Sequence, residues 1–289
     1  MIKVMASGLY TSLQDLGRFG YRHLGVPLSG AMDMQAALEA NNLVGNTPEL
    51  TVMECTASGP VLKFETKAVV AICGALFALK LDGVEIELNK AIEIPVGGVL
   101  SFGTPSKGIR AYMAIQGGFN SEKVLGSNSF YQGITNQFRL RKGDVINFYS
   151  NTEMCLFDNT YKYNGINDFD SEEIEVMKGP EFNDLSEEFQ SILNNTKFVI
   201  ASNSNRMAYT LDHSLHISAK EIITAPVQPG TVQLTPSGKL ILLMRDAQTT
   251  GGYARTFQLT KSAINKLAQK RAGMVIRFKI VDLPFHTRV

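Results

Sequence analysis

Residues 8–33 read GLYTSLQDLGRFGYRHLGVPLSGAMD, and this stretch holds Gln14, Asp15, Arg18, Tyr21, Arg22, His23 and Asp33, seven groups able to hydrogen-bond or ionise. Gly8, Gly17, Gly20, Gly25 and Gly30 are interspersed among them, so the backbone can bend and present these side chains from a loop. His23 has Asp15, Arg18 and Arg22 as near neighbours in the chain, groups that could tune its proton affinity for acid–base work. An ordinary surface loop with turn glycines is the competing reading.

Two later clusters carry similar chemistry. In SNSNRMAY, residues 202–209, Arg206 stands at a strand start among Asn and Ser donors, and its planar fork suits a carboxylate or phosphate. A turn with a solvated Arg explains the same residues. In RDAQTTGGY, residues 245–253, an apolar LILLM run ends abruptly in Arg245-Asp246, followed by Gln248, Thr249, Thr250 and Tyr253. A buried strand that stops on such groups is where a rigid scaffold presents function.

Several familiar sites are missing. The sequence has no GxxxxGK[ST] phosphate loop and no GxSxG elbow. His213 and His216 are three apart without a third ligand nearby, so no metal site is assigned, and His286 is given no role. Cys55, Cys73 and Cys155 are odd in number and widely spaced, which argues against a disulfide framework. The formal charge of +1 comes from 28 basic and 27 acidic residues with no run of one sign, which disfavours nucleic acid or an anionic membrane as a partner. No secretory signal is read at the N-terminus, and the longest apolar run, AVVAICGALFAL at residues 68–79, is too short to span a bilayer and reads as buried sheet.

The elements that must position these groups are mostly strands. Short apolar or alternating runs are broken by Asp-Gly, Gly-Gly, Pro-Ser-Gly and Lys-Gly-Asp, the punctuation of antiparallel hairpins. The spacing predicts three helices, at 32–44, 186–193 and 260–271, the last capped by Thr260. The chain also contains a diverged repeat. Gly59-Pro60 pairs with Gly179-Pro180, residues 94–119 pair with 225–253 through a shared Thr-Pro-Ser turn, and GDVINF at 143 pairs with GMVIRF at 273. The organisation expected is mainly β, with a strand, site loop and helix over 1–50, one barrel unit over 51–160 and a second over 172–285. The polar segment 161–171 connects the two. Residues 1–50 have no evident second copy, and LQDLGR at 13–18 faintly echoes 245–255, which would let the N-terminal strand complete the second barrel.

The segments SLQDLGRFGYRHLGVPLSGAMD, NLVGN with Glu54 and Gly59-Pro60 after it, SNRMAY, PGTVQLTPSGKLILLMRDAQTTGGYAR and GMVIRF resemble, in order and over nearly the whole chain, the allophanate hydrolase subunit 2 family. That family includes the C subunit of 5-oxoprolinase and KipA, and it is related to the carboxyltransferase part of urea carboxylase. The resemblance implies tandem cyclophilin-like β-barrels from an internal duplication, and a cytoplasmic protein. It implies work with a sister chain of the allophanate hydrolase subunit 1, KipI or 5-oxoprolinase B-subunit type, and with a LamB/YcsF-type A subunit. The activity implied is ATP-dependent opening of 5-oxoproline to glutamate, with ATP and Mg as cofactors and no biotin attachment on this chain.

Carried across by motif, the family's polar positions imply Asp15, His23 and Asp246 as catalytic groups. They imply Gln14, Arg18, Asp33, Arg206, Tyr209, Gln248, Thr249, Thr250 and Tyr253 as substrate-binding groups. Arg18 and Arg206 would meet substrate oxyanions, Asp15 or Asp246 would act as base or support a metal-phosphate, and His23 would move a proton. The chain departs from the family pattern at Ala208, Thr210 and Ala254. Two other readings are a biotin-dependent, urea carboxylase-like carboxyltransferase component and a non-catalytic KipA-type protein that binds a kinase inhibitor.

Overall fold

The computed structural model describes residues 1–149, 165, 168–215 and 221–282. Most of the 161–171 connection, Cys155, His216 and His286 lie outside them. The protein is mainly β and divides into two compact units, Met1–Tyr21 with Leu28–Phe169, and Arg22–Pro27 with Asp170–Val289.

The first unit contains two sheets. One orders Phe119–Asn120, Val145–Phe148, Ile2–Ala6, Val61–Phe64, Val99–Pro105, Phe77–Leu81 and Val84–Ile86. The other orders Tyr10–Gln14, Val52–Thr56, Arg110–Ile115, Ala68–Gly74 and Ala91–Ile94. Alternation sets the inner face: in Phe77–Leu81, Phe77 and Leu79 are buried while Ala78 and Lys80 are exposed. Ile2, Val4, Leu62, Phe64, Ile72, Leu100 and Met113 share the core. The strand Arg110–Ile115 is instead buried at every position. Its second face is covered by helix α1 (Met34–Leu43), whose Ala36 and Ala40 pack with Ala71, Cys73, Tyr112 and Ala114. Asp33 caps α1 by accepting from the Ala36 N–H at 3.1 Å.

The second unit has a seven-stranded sheet ordered Phe198–Val199, Val275–Ile280, Glu173–Lys178, Ala254–Leu259, Thr231–Leu234, Lys239–Leu243 and Ala208–Ser214. Its two outermost strands nearly meet, through an Ile200–Leu211 bridge and an Ala201 N–H to Thr210 carbonyl bond of 2.8 Å, so the sheet is close to a closed barrel. Inside, Phe257 stacks with Phe182 and Phe278 at centroid distances of 5.2 and 5.1 Å, and Phe198 with Phe278 at 5.4 Å. Helices α2 (Glu187–Asn195) and α3 (Lys261–Ala268) are capped by Ser186 and Thr260. A two-stranded ribbon pairs Ala225–Pro226 with Thr250–Gly251.

The duplication lies deeper than the sequence pairing suggests. Ile2 pairs with Ile146 and Lys3 with Val145; in the second unit Phe198 pairs with Ile276 and Val199 with Val275. The next bonds match too. Val4 N–H donates to Asp144 O and Gly143 N–H to Val4 O, while Ile200 N–H donates to Met274 O and Gly273 N–H to Ile200 O. The N-terminal strand therefore does have a second copy, in Phe198–Val199, and it pairs within the first unit's sheet rather than completing the second barrel.

Other matched segments diverge. Thr235-Pro236-Ser237 lies in the hairpin joining Thr231–Leu234 to Lys239–Leu243, whereas the strands flanking Thr104-Pro105-Ser106 lie in different sheets. Gly59-Pro60 leads into a strand, and Gly179-Pro180 leads out of one into a 3-10 turn. The apolar run 68–79 is split between Ala68–Gly74 and Phe77–Leu81, because Gly74 at φ 99° turns the chain between the two sheets.

Candidate functional site

In the first unit, Gln14, Asp15 and Arg18 converge on residues 124–130. Asp15 Oδ1 accepts from Gly17 N–H at 2.8 Å and from the hydroxyls of Ser127 and Ser129 at 2.8 and 2.6 Å. Its Oδ2 accepts from Asn128 N–H at 2.7 Å. Arg18 is wholly buried, and its guanidinium donates to Val124 O at 3.0 Å and Ser129 O at 2.8 Å. Gln14 Nε2 donates to Ser12 Oγ at 3.0 Å and Phe130 O at 3.3 Å. These bonds hold the glycine-rich loop in shape. Gly17 and Gly30 cross closely there: a Cβ on Gly30 would lie 3.0 Å from Gly17 N.

Asp33 sits apart from that group, at the α1 cap, with its own N–H on the Tyr112 hydroxyl at 2.8 Å. Met32 N–H donates to Glu54 Oε2 at 2.8 Å, and Glu54 Oε1 is 3.9 Å from Arg110 Nε, all buried. Burial, with the charges of Glu54 and Asp33 behind it, pushes the Tyr112 hydroxyl well above the usual tyrosine range.

The second unit gathers the later clusters. Arg206, at the start of Ala208–Ser214, grips Asp246 through Nε–Oδ2 at 2.8 Å and Nη2–Oδ1 at 3.1 Å. The two side chains are only 9% and 12% exposed. Backbone bonds fix the same approach, from Asp246 N–H to Arg206 O at 3.0 Å and from Met244 N–H to Met207 O at 2.9 Å. Two residues on from Asp246 a ladder of amides begins: Gln248 Nε2 donates to Gln233 Oε1 at 3.4 Å, and Gln233 Nε2 to Tyr253 O at 3.5 Å. Gln248 Oε1 is buried and has no hydrogen-bond donor among the described residues. Tyr209 is buried, with its hydroxyl on Lys270 O at 3.4 Å.

Thr249 and Thr250 lie at the ribbon, where Val227 N–H donates to Thr249 O at 3.1 Å. His23 is exposed in the short turn Arg22–Leu24 and belongs to the second unit with Arg22. Arg22 donates from Nη2 to the carbonyl oxygens of Val227 and Thr249, so it clamps the ribbon.

Sequence reasoning did not single out Ser127, Ser129, Gln233, Lys178, Glu181 or Arg255 as site groups. Arg255 and Glu181 form a two-point pair, Nη2–Oε1 2.7 Å and Nε–Oε2 2.9 Å, which holds the Glu181 carboxyl below its ordinary range and raises the guanidinium. The nearest signal was the Gly179-Pro180-Glu181 turn, where a charge follows a rigid bend. Among the described residues no cluster of three or more His, Cys, Asp or Glu could hold a metal ion, and no helix is long and apolar enough to cross a membrane.

A family model described as carboxyltransferase domain, subdomain A and B, matches residues 24–280. The chain belongs to that carboxyltransferase-domain family. It is 30% identical over 286 residues to a protein of Escherichia coli (strain K12) named as the C subunit of 5-oxoprolinase, covering 96% of this chain and 90% of that one. Among solved structures, the one titled TTHA0988 superposes with a TM-score of 0.86 at 29% identity, over 96% of this chain and 55% of the other. The Kluyveromyces lactis urea carboxylase superposes with a TM-score of 0.86 at 28% identity, over 97% of this chain and 27% of that one. The chain thus spans about half of the first solved chain and about a quarter of the second. It is homologous to the 5-oxoprolinase C subunit and to the carboxyltransferase region of urea carboxylase.

Proposed function

We propose that this chain is one component of an ATP-dependent 5-oxoprolinase assembly, in which 5-oxoproline, ATP and water give glutamate, ADP and phosphate. The observation that carries this reading is the nearly end-to-end match with the E. coli 5-oxoprolinase component. A lactam amide is a poor electrophile, and phosphorylation of its oxygen makes the carbon more reactive and the oxygen a better leaving group. Such chemistry needs fixed donors at the oxygens where charge gathers and a dry setting around them. The Arg206–Asp246 pair and the amides of Gln248 and Gln233 are fixed groups of that kind. Gln248 Oε1, a buried acceptor without a donor among the described residues, suits an amide N–H such as the lactam's.

The other components of the assembly are the sister chain and a third protein of LamB/YcsF type. The phosphates of ATP require cations, which this chain has at Arg22, Lys178 and Arg255, and Mg would supply charge neutralisation at those phosphates. In the test, the chain is purified with both candidate partners, and 5-oxoproline-dependent release of phosphate and glutamate is measured. Turnover that requires all three and falls with Asp246→Asn supports the reading. A complete, associated mixture without turnover refutes it.

The likeness to urea carboxylase supports a second reading, carboxyl transfer between a biotin group on another protein and an amide substrate. Consumption of carboxybiotin by the chain, with urea or 5-oxoproline as acceptor, would select it over the first.

A further inference from the structure

A cleft of about 380 Å³ in the second unit is lined by Arg22, Lys178, Gly179, Gln228, Arg255 and Gln258, among others. Its charge is unbalanced. Arg255 is held by Glu181 and also donates from Nη1 to Pro226 O at 3.2 Å. Arg22 rests on two carbonyl oxygens, and the Lys178 ammonium lies 5.1 Å from the centroid of the Phe182 ring. Neither forms an ion pair among the described residues. Three positive charges against one negative leave two in excess.

The cleft is also a built surface. A Cβ on Gly179 would lie 2.2 Å from the backbone oxygen Arg255 O, so only glycine allows this approach. Gln258 is fixed at both ends, by Thr231 Oγ1 donating to its Oε1 at 3.0 Å and by its Nε2 donating to Pro229 O at 3.0 Å. Gln228 is exposed at the cleft.

We propose that this cleft binds the phosphate group of a small ligand. A carboxylate carries one charge and would leave the second cation uncompensated. A phosphate carries about −1.5 to −2 near neutral pH and offers three acceptor oxygens, which match Arg22 and Lys178 together with Arg255 at the rim. The volume is at the small end of ligand sites, which run from roughly 300 to 1,000 Å³. The proposal deepens the oxoprolinase reading, in which the same cations meet the phosphates of ATP, but it is tested on binding by this chain without its partners, so its failure is distinct from a failure of turnover in the assembled mixture.

The test is calorimetric titration of the purified full chain at low ionic strength with inorganic phosphate, ATP and 5-oxoproline in separate arms. Saturable phosphate binding is expected, weakened about tenfold by Lys178→Gln and by Arg22→Gln. Lys197→Gln, at an exposed ion pair with Glu172 in the same unit, is expected to leave it unchanged. Lys178 is exposed, so its variant keeps the fold, and thermal unfolding checks this. ATP binding tighter than phosphate identifies a nucleotide source and equal binding identifies free phosphate, both in support. The proposal fails if phosphate does not saturate, if Lys197→Gln weakens binding equally, or if only 5-oxoproline occupies the cleft.

Discussion

Replacing Asp15 separates a brace from a base. Its carboxylate receives four hydrogen bonds, two from backbone N–H groups and two from hydroxyls. In Asp15→Ala the serine hydroxyls can rotate to other acceptors, but the N–H groups of Gly17 and Asn128 cannot. A buried donor left without an acceptor costs about 1–3 kcal/mol, so the two together predict a loss of about 3–4 kcal/mol. In Asp15→Asn one oxygen stays to serve the Oδ1 donors, while the new amide NH₂ faces the Asn128 N–H, and the loss is about 2 kcal/mol.

For a unit of this size each kcal/mol lowers the midpoint by about 2–4 °C, so the alanine variant should melt about 10 °C below the parent. The chain has no tryptophan, so the transition is followed by far-ultraviolet circular dichroism. If Asp15→Ala melts within a degree of the parent, the bracing argument is wrong. If it also loses turnover in the assembled mixture, Asp15 is a chemical group after all.

The Arg206–Asp246 pair is nearly buried, so Arg206→Ala and Asp246→Ala should each cost about 3 kcal/mol in urea unfolding. The double variant should cost about 2 kcal/mol less than their sum, and strict additivity would mean the pair contributes nothing as a pair. Gly238→Ala places a Cβ 1.7 Å from Leu215 O at a glycine with φ 76°, and it should abolish the cooperative melt of the second unit; an unchanged transition would refute this.

Burial raises the thiols of Cys55 and Cys73 and the Tyr112 hydroxyl, so the folded chain keeps protons that the unfolded chain releases above about 8.5 for thiols and 10 for tyrosine. The stability is therefore complete below those values and declines as pH rises past them. Urea midpoints that fall between pH 8 and 10.5 would bear this out, and a flat profile would not.

Local chemistry was legible in the sequence, and long-range pairing was not. Thr260 caps its helix by accepting from Ala263 N–H, as its neighbours alone predict, whereas Asp33 and Ser186 cap the other two helices in the same way although the sequence pattern sets both inside their helices and the family motif points Asp33 to substrate. The Arg206–Asp246 site was legible as two polar clusters at strand ends, though nothing in either cluster says that one neutralises the other. The partners of Asp15 lie 112 to 114 residues away in a segment without a motif, so its acceptor role was invisible beside its resemblance to a base. Arg255 and Glu181 are 74 residues apart, and their approach depends on the Gly179 backbone passing Arg255 O. The second copy of the N-terminal strand was hidden for a related reason. Register is a property of pairing, and Ile2–Ala6 and Phe198–Val199 share little beyond apolar character.

That register also accounts for why the Arg–Asp pair belongs to one copy. In the first unit the connection from Ile2–Ala6 to Tyr10–Gln14 is three residues long, and Gly8, at φ 67°, would place a Cβ 2.2 Å from Ser58 O. Leu9 N–H closes the turn on Ser58 O at 3.1 Å. Counted from the matched residues Val4 and Ile200, five residues precede Tyr10 in the first unit and seven precede Ala208 in the second, and Arg206 lies in that longer connection, where it reaches Asp246. The carboxylate is copy-specific too: Arg110–Ile115 runs directly into Gln116-Gly117-Gly118, and Gly117 would set a Cβ 2.4 Å from Tyr149 O. Either charge introduced alone at such a depth would stand unpaired, at a cost of about 3–5 kcal/mol. The longer loop and the acidic strand end are therefore interdependent. A chain with the second unit's loop shortened by two residues, Arg206 and Met207, should tolerate Asp246→Ala at little further cost, because the partner that makes that carboxylate necessary would be gone.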